Sequence, residues 1–178
     1  LRKIGERAFP YFSLPLDEAD WMRRAERAVR KVAGQLGKLP VETPLFIASS
    51  SFQIGHFEQL GAPFELPVAN AACSRQIAEW LALTGPRYSF SNACTSGFSA
   101  LDAARSLIAA GLIDDAIVLG VELANDSTLA GFAAMELLSR TAGRPFDAQR
   151  DGLVLGEAVA AVRLSAEPRS EEHTSELQ

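Results

Sequence analysis

One cysteine lies where a thiol could act as a nucleophile. Cys94 falls between a short alternating run typical of a strand and an alanine-rich run typical of a helix. The positive end of a helix favours the reactive thiolate, and its N–H groups can stabilise an oxyanion. The small neighbours Ala93, Thr95, Ser96 and Gly97 let a substrate carbonyl approach. On spacing alone, however, a small buried thiol remains the favoured interpretation, because most cysteines behave in that way.

A second group of residues that could do chemistry follows further along the chain. It comprises Asp147, Arg150, Asp151, Gly152, Gly156 and Glu157. The carboxylates could form an acid–base group or a metal site, but metal ligation would need more convergent donors. The glycines suit tight backbone turns. We therefore favour structural roles for this group.

The elements that must position these residues alternate between helices and strands. Helices are predicted over Asp17–Leu36, Val68–Leu83, Ser96–Ala110 and Leu129–Leu138, and strands over Pro44–Ser50, Arg87–Ser91, Ala116–Val121 and Leu153–Leu164. Ala116–Val121 is a continuous apolar run, as expected for a strand buried on both faces, and the Ala/Val-rich segment Leu153–Leu164 is also expected to be a buried strand. Phe98 is expected on the buried face of its helix. The alternation predicts an α/β fold with a largely parallel central sheet.

The composition limits the class of protein. With 178 residues, 48% of them hydrophobic and 22% charged, the chain suits one globular domain with a sizeable core. Its net charge of -5 argues against nucleic acid as a partner. No apolar run reaches the roughly 20 residues that span a bilayer. The two cysteines, Cys73 and Cys94, form no CxxC motif, which favours a reducing, cytoplasmic location.

Both ends of the sequence look unnatural. The first residue is Leu1, and the polar segment 169–178 lacks periodicity and resembles a translated sequencing adapter. We therefore expect a domain over residues 1–168, truncated at both ends, and a non-native tail. His173 lies in that tail, which leaves His56 as the other histidine, expected on the surface or in a loop.

Two motifs in order resemble those of the β-ketoacyl-[acyl carrier protein] synthases, the ketosynthases of the thiolase superfamily. The first is Ala93–Gly97, which follows Gly85, Pro86 and a short strand. The second consists of Arg144–Asp147, Arg150–Gly152 and Val154–Glu157, and Ile117–Glu122 resembles the strand between the motifs. The resemblance runs from Val68 to Leu164 and overturns the preference for an inert Cys94. It implies a thiolase-like fold, here the incomplete N-terminal half of a layered αβαβα arrangement.

The resemblance also implies a reaction. Cys94 would take an acyl group from a thioester, and a decarboxylated malonyl unit would then attack the acyl-enzyme and lengthen the chain by two carbons. The setting would be fatty acid, polyketide or aryl polyene synthesis. No resident cofactor is implied, because the acyl groups travel on the phosphopantetheine of acyl carrier protein.

The family pattern suggests roles for the remaining residues. Asp147 and Arg150 would order a turn, and Glu157 would lie near the active-site base without touching substrate. Phe132 and Met135 could line an acyl pocket or a subunit interface, although core positions are equally consistent. Among the partners implied are acyl carrier protein and a second subunit, in a homodimer or a ketosynthase/chain-length-factor heterodimer. The subunits would pair through the strand at Ala116–Val121.

The sequence departs from the family in two respects. The family's active-site histidines, lysine and glycine-rich loop lie beyond position 168, and His56 matches neither histidine, so this chain alone is expected to lack condensation activity. Ala158 and Ala160 occupy positions where glycine is common, which indicates a divergent subgroup. Two alternatives stay open: a thiolase-type acyltransferase acting on coenzyme A thioesters, and a non-catalytic chain-length-factor partner.

Overall fold

The computed structural model describes residues 1–63 and 66–166, with side chains described for all of these except 66–69. The expected non-native tail at 169–178 lies outside the described residues. The helices are α1 (Trp21–Ala33), α2 (Ile54–Leu60), α3 (Leu66–Trp80), α4 (Ser96–Ala109) and α5 (Asp126–Ala134). The strands are β1 (Arg2–Ile4), β2 (Arg7–Phe9), β3 (Tyr11–Phe12), β4 (Leu45–Ala48), β5 (Arg87–Phe90), β6 (Asp115–Glu122), β7 (Leu155–Gly156) and β8 (Ala158–Ser165).

The central sheet has the strand order β5-β4-β6-β8. Strand β4 is parallel to β5 and to β6, whereas β8 runs antiparallel to β6. The predicted α/β fold with a largely parallel sheet is therefore confirmed. Two small pairs lie outside this sheet: β1 with β2, and β3 with β7.

Helices cover both faces of this sheet. Successive side chains of a strand point to opposite faces, so neighbouring residues of one strand pack against different helices. Leu45, Ile47 and Leu119 pack with residues of α1 and α3 on one face. Phe46 and Val118 pack with residues of α4 on the other. Most of β6 is buried, as its continuous apolar run predicts.

Two predictions of burial are wrong. Strand β8 alternates between exposed and partly buried residues, and Val162 is exposed. Phe98 is 77% exposed, because Ala100 and Ala104 form the buried side of α4. Position 98 precedes position 100 by two residues, which places it about half a turn away on the opposite side of the helix.

The strand that was predicted to pair with a second subunit is also wrong, as the sheet order shows. Strand β6 bonds to β4 on one side and to β8 on the other, so Ala116–Val121 has no free edge for a second subunit. In the described sheet, β5 is an edge strand, and Arg87, Tyr88 and Ser89 are exposed.

Local signals explain several helix boundaries. Helix α1 begins at Trp21 rather than Asp17, because the Asp20 carboxylate accepts a hydrogen bond from the N–H of Arg23 (2.8 Å) and caps the helix. Asn125 caps α5 in the same way through the N–H of Thr128 (2.7 Å). Helix α5 ends at Ala134, four residues short of the prediction, because Leu138 instead pairs with Leu153.

Candidate active site

Cys94 lies in a single 3₁₀ turn, Ala93–Thr95, between the end of β5 and the start of α4. Its thiol is free and exposed. Ala93 has a φ of 50°, in the left-handed region that residues other than glycine rarely adopt. The backbone therefore turns sharply just before the cysteine, and the surrounding structure must stabilise that turn.

Hydrogen bonds from Asn92 to Ser96 close the turn. The Ser96 hydroxyl accepts from the N–H of Asn92 (2.8 Å) and donates to the carbonyl of Ala93 (2.7 Å). The Thr95 hydroxyl donates to the carbonyl of Asn92 (2.8 Å). Because Ser96 itself is buried, these bonds fix the backbone on both sides of Cys94 while its thiol stays accessible.

A cleft of about 420 Å³ opens beside Cys94. Its lining is largely apolar and includes Phe132, which the sequence suggested for an acyl pocket, together with Ala158 and Ala160. Met135, the other suggested pocket residue, does not line this cleft, and its side chain is 58% exposed. The structure thus brings Cys94 and Phe132 together and leaves Met135 outside.

The same cleft contains polar residues that the sequence patterns did not single out. Ser49 and Ser50 follow β4, Glu122 ends β6, and all three line the cleft with Cys94. Since the carboxyl ends of parallel strands meet at one edge of a sheet, the available signal was that these residues lie at, or directly after, the ends of predicted strands. Finding it required the strand order, which the sequence does not provide.

Glu157 does not line this cleft. Its carboxylate is 2% exposed, forms an ion pair with Arg24, and accepts the N–H of Leu14 (2.8 Å) and of Ala124 (3.3 Å). Burial alone would raise the pKa of Glu157, but the hydrogen bonds from Arg24 and from the backbone outweigh it and hold this pKa below its ordinary value. Glu157 therefore ties α1 and the segment before it to the start of β8.

Arg24 on α1 is the partner of Glu157 in this ion pair. Its side chain is only 13% exposed and also donates to the carbonyls of Leu14 (2.7 Å) and Leu16 (2.6 Å). Arg24 lies three residues after Trp21 and four before Ala28, so it shares their side of α1. That spacing was the signal that could have identified it.

The remaining motif residues make structural contacts. Asp147 accepts the N–H of Gln149 (2.7 Å), and the Arg150 guanidinium donates to the carbonyl of Asp147 (2.9 Å). The hydroxyl of Ser139 donates to Asp151 (2.6 Å), and this hydrogen bond lowers the pKa of the Asp151 carboxyl.

The two motif glycines lie where a side chain would not fit. A Cβ on Gly152, whose φ is 153°, would lie 2.5 Å from the backbone nitrogen of Ser139. A Cβ on Gly156 would lie 2.7 Å from the Cβ of Phe12.

Two other candidate residues are not placed for catalysis beside Cys94. Burial raises the pKa of the Cys73 thiol to about 12, so this cysteine stays protonated at neutral pH. His56 lies on α2, partly buried between Trp21 and Phe57, rather than on the surface or in a loop as predicted. Over residues 1–63 and 66–166, no group of three or more His, Cys, Asp or Glu side chains could hold a metal ion.

The comparison with protein families identifies the class. The family described as "Beta-ketoacyl synthase, N-terminal domain" matches residues 48–169. This chain therefore belongs to the β-ketoacyl synthase family, as the two motifs indicated. Within the described part of the chain, no helix is long and apolar enough to cross a membrane.

Individual relatives agree with this assignment. The chain is 38% identical over 113 residues to the 3-oxoacyl-[acyl-carrier-protein] synthase 2 of Rhizobium meliloti, covering 58% of this chain and 27% of that protein. It is 37% identical over 110 residues to the enzyme of the same name from Coxiella burnetii, covering 57% and 26%. The chain thus spans about a quarter of the length of these curated relatives.

The fold resembles that of solved ketosynthases. The ketosynthase ApeO, in complex with its chain length factor ApeC from Xenorhabdus doucetiae, matches with a TM-score of 0.74 and 22% identity. The match covers 92% of this chain and 48% of that chain. The predicted thiolase-like fold, matched over about half of a ketosynthase, is confirmed.

Proposed function

We propose that Cys94 accepts an acyl group from a carrier-protein thioester, and that the acyl-cysteine is then elongated by a decarboxylated malonyl unit in fatty acid, polyketide or aryl polyene synthesis. The observation that carries the proposal is the exposed Cys94 thiol at the start of α4, beside a largely apolar cleft that also contains Phe132. The names of the curated relatives support 3-oxoacyl synthesis over a thiolase-type reaction.

The proposed reaction has two chemical steps. The Cys94 thiolate attacks the thioester carbonyl, the N–H groups at the start of α4 stabilise the oxyanion, and the thiol of the carrier arm leaves with a proton. Loss of CO₂ from a malonyl thioester then gives a carbanion that attacks the acyl carbonyl. The C–S bond to Cys94 breaks, and the product is a 3-oxoacyl thioester longer by two carbons.

We propose acyl carrier protein as the donor, with its phosphopantetheine carrying the acyl group and no resident cofactor. A second subunit would pair with the free edge of β5. Two of the similar solved structures are ketosynthase/chain-length-factor complexes, which supports a heterodimer as well as a homodimer. A cytoplasmic location fits this chemistry, since Cys94 must stay reduced to accept an acyl group.

A non-catalytic chain-length-factor role is the second candidate, because such factors occur in those same complexes. The exposed thiol of Cys94 favours the catalytic role.

Acyl loading distinguishes the two candidates. The chain would be incubated with octanoyl-carrier protein and examined by intact-mass spectrometry and peptide mapping. We expect one octanoyl group on Cys94, loss of loading in Cys94→Ala, and normal loading in the matched control Cys73→Ala. No mass increase on folded protein would contradict the catalytic proposal. With malonyl-carrier protein added, we expect no elongated product from this chain alone. The histidines that the family resemblance implies for elongation lie beyond position 168, and His56 lies outside the Cys94 cleft.

A further inference from the structure

A carboxylate in the Cys94 cleft binds the loop that forms part of the cleft wall. The Oε2 atom of Glu122 accepts the N–H of Ser50 (3.0 Å), the hydroxyl of Ser50 (2.8 Å) and the hydroxyl of Ser49 (3.4 Å). Its Oε1 atom accepts the hydroxyl of Ser51. Four donors from three consecutive residues thus converge on one side chain of the neighbouring strand.

The loop after β4 has a conformation that needs such support. Phe52 has a φ of 45° although it is not a glycine, and its ring is 4% exposed in the core that includes Trp21 and Ile77. A left-handed backbone at such a residue costs on the order of 1 kcal/mol or more. The surrounding contacts must therefore favour this conformation over the ordinary ones.

Ser49 links this turn to Glu122. Its hydroxyl oxygen accepts the N–H of Phe52 (2.7 Å) and of Ser51 (3.2 Å), while the hydroxyl hydrogen is directed to Glu122. A carboxylate can only accept hydrogen bonds, so it fixes the direction in which each serine hydroxyl donates. In this arrangement Ser49 is left free to accept both backbone N–H groups.

We propose that Glu122 is a positioning residue: it holds the Ser49–Phe52 turn and thereby sets the shape of the cleft that receives the acyl chain beside Cys94. The acyl chain is the occupant given by the proposed function, and this inference rests on it to that extent. The positioning itself rests on the hydrogen bonds above. A glutamine at position 122 would present one NH₂ group to donors that need an acceptor, and the turn would loosen.

A pair of thiol probes tests this without acyl transfer. N-ethylmaleimide and N-octylmaleimide both add to a thiolate, and only the longer one has an alkyl chain that can lie along the apolar cleft. The rate constant for each probe at Cys94 is divided by its rate constant with glutathione. We expect the octyl-to-ethyl ratio to exceed one in the unsubstituted chain and to fall about fivefold in Glu122→Gln, in line with the loss of charge-assisted hydrogen bonds.

Asp102→Asn is the matched control, because Asp102 is an exposed carboxylate on α4 that contacts Arg105. It should leave the ratio unchanged. The buried Cys73 reports folding in every variant, since its thiol is labelled only when the core opens. If Glu122→Gln unfolds, Ser51→Ala removes a single donor and should lower the ratio in the same direction by about twofold.

Two outcomes would overturn the inference. One is an unchanged ratio in a folded Glu122→Gln or Ser51→Ala variant. The other is a ratio of one in the unsubstituted chain, since there would then be no alkyl-binding wall for Glu122 to position. Failure of acyl loading with a normal maleimide ratio would instead contradict the proposed function and leave the positioning role standing.

Discussion

At the scale of single residues, the Arg24–Glu157 pair shows how a motif residue can act away from the nucleophile. Glu157 was expected near an active-site base, whereas its described contacts are with Arg24 on α1, with Leu14 before α1 and with Ala124 after β6. Gly156 beside it admits the close approach of Phe12. This part of the motif therefore holds the N-terminal segment against the sheet that positions Cys94.

The pair gives a prediction about acid stability. Because the pKa of Glu157 is lower in the folded than in the unfolded chain, its contribution to stability is complete above its ordinary value of 4.5. That contribution is lost as the pH falls through the lower folded pKa. Glu157→Gln should lower the free energy of unfolding at pH 7 by about 3 kcal/mol, because it leaves the Arg24 charge without its partner. Because glutamine does not titrate, the free energy of unfolding of this variant should also decrease less below pH 4.5 than that of the unsubstituted chain.

Urea unfolding followed by circular dichroism, at pH 7 and at pH 4, measures both effects. Glu26→Gln is the control, because Glu26 forms an exposed pair with Arg30 within α1 and should change stability little at either pH. Equal loss of stability in the two variants would argue against a special role for the Arg24–Glu157 pair.

At the scale of elements, the positions of helices and strands were predicted better than the contacts between them. The ends of α4 lie within one residue of the prediction, because the apolar pattern stops at Gly111, whose φ of 66° ends the helix. Cys94 was placed correctly between strand and helix for the same local reason. The seven-residue α2 was missed, and the contact of Glu122 with Ser49 depends on which strands are neighbours.

Strand β5 yields a prediction about pairing. Leu45 and Ser49 donate to the carbonyls of Pro86 and Phe90, so the even-numbered residues of this strand face β4. The backbone groups of Ser89 then point away from β4. Ser89→Pro would remove one outward N–H and leave the bonds to β4 intact, as tolerated at a sheet edge.

If β5 pairs with a second copy, Ser89→Pro should raise the dissociation constant of the dimer at least tenfold. The reason is that a hydrogen bond between the paired edges, and the register that it fixes, are lost. Sedimentation velocity measures this. Ser89→Thr, which keeps the N–H, should stay dimeric. Dimerisation of a folded Ser89→Pro chain with unchanged affinity would exclude this edge as the contact.

At the scale of the whole molecule, apolar surface lies exposed around the Cys94 side of the sheet. Phe98 on α4 is 77% exposed, Val162 on β8 is 45% exposed, and Ala160, which lies on β8 and lines the cleft, is exposed as well. Large exposed apolar side chains near one another are typical of surfaces that bind other protein.

This surface predicts that the chain binds the dye 8-anilinonaphthalene-1-sulfonate and associates as its concentration rises. Phe98→Gln should reduce both dye fluorescence and association by about half, with little change in stability, because the ring is exposed and glutamine is a good helix former. Phe46→Ala is the matched contrast: its ring is 0% exposed beneath α4, so truncation should cost about 4 kcal/mol and increase dye binding. Fluorescence titration and light scattering across concentrations measure both, and dye binding that Phe98→Gln leaves unchanged would locate the apolar surface elsewhere.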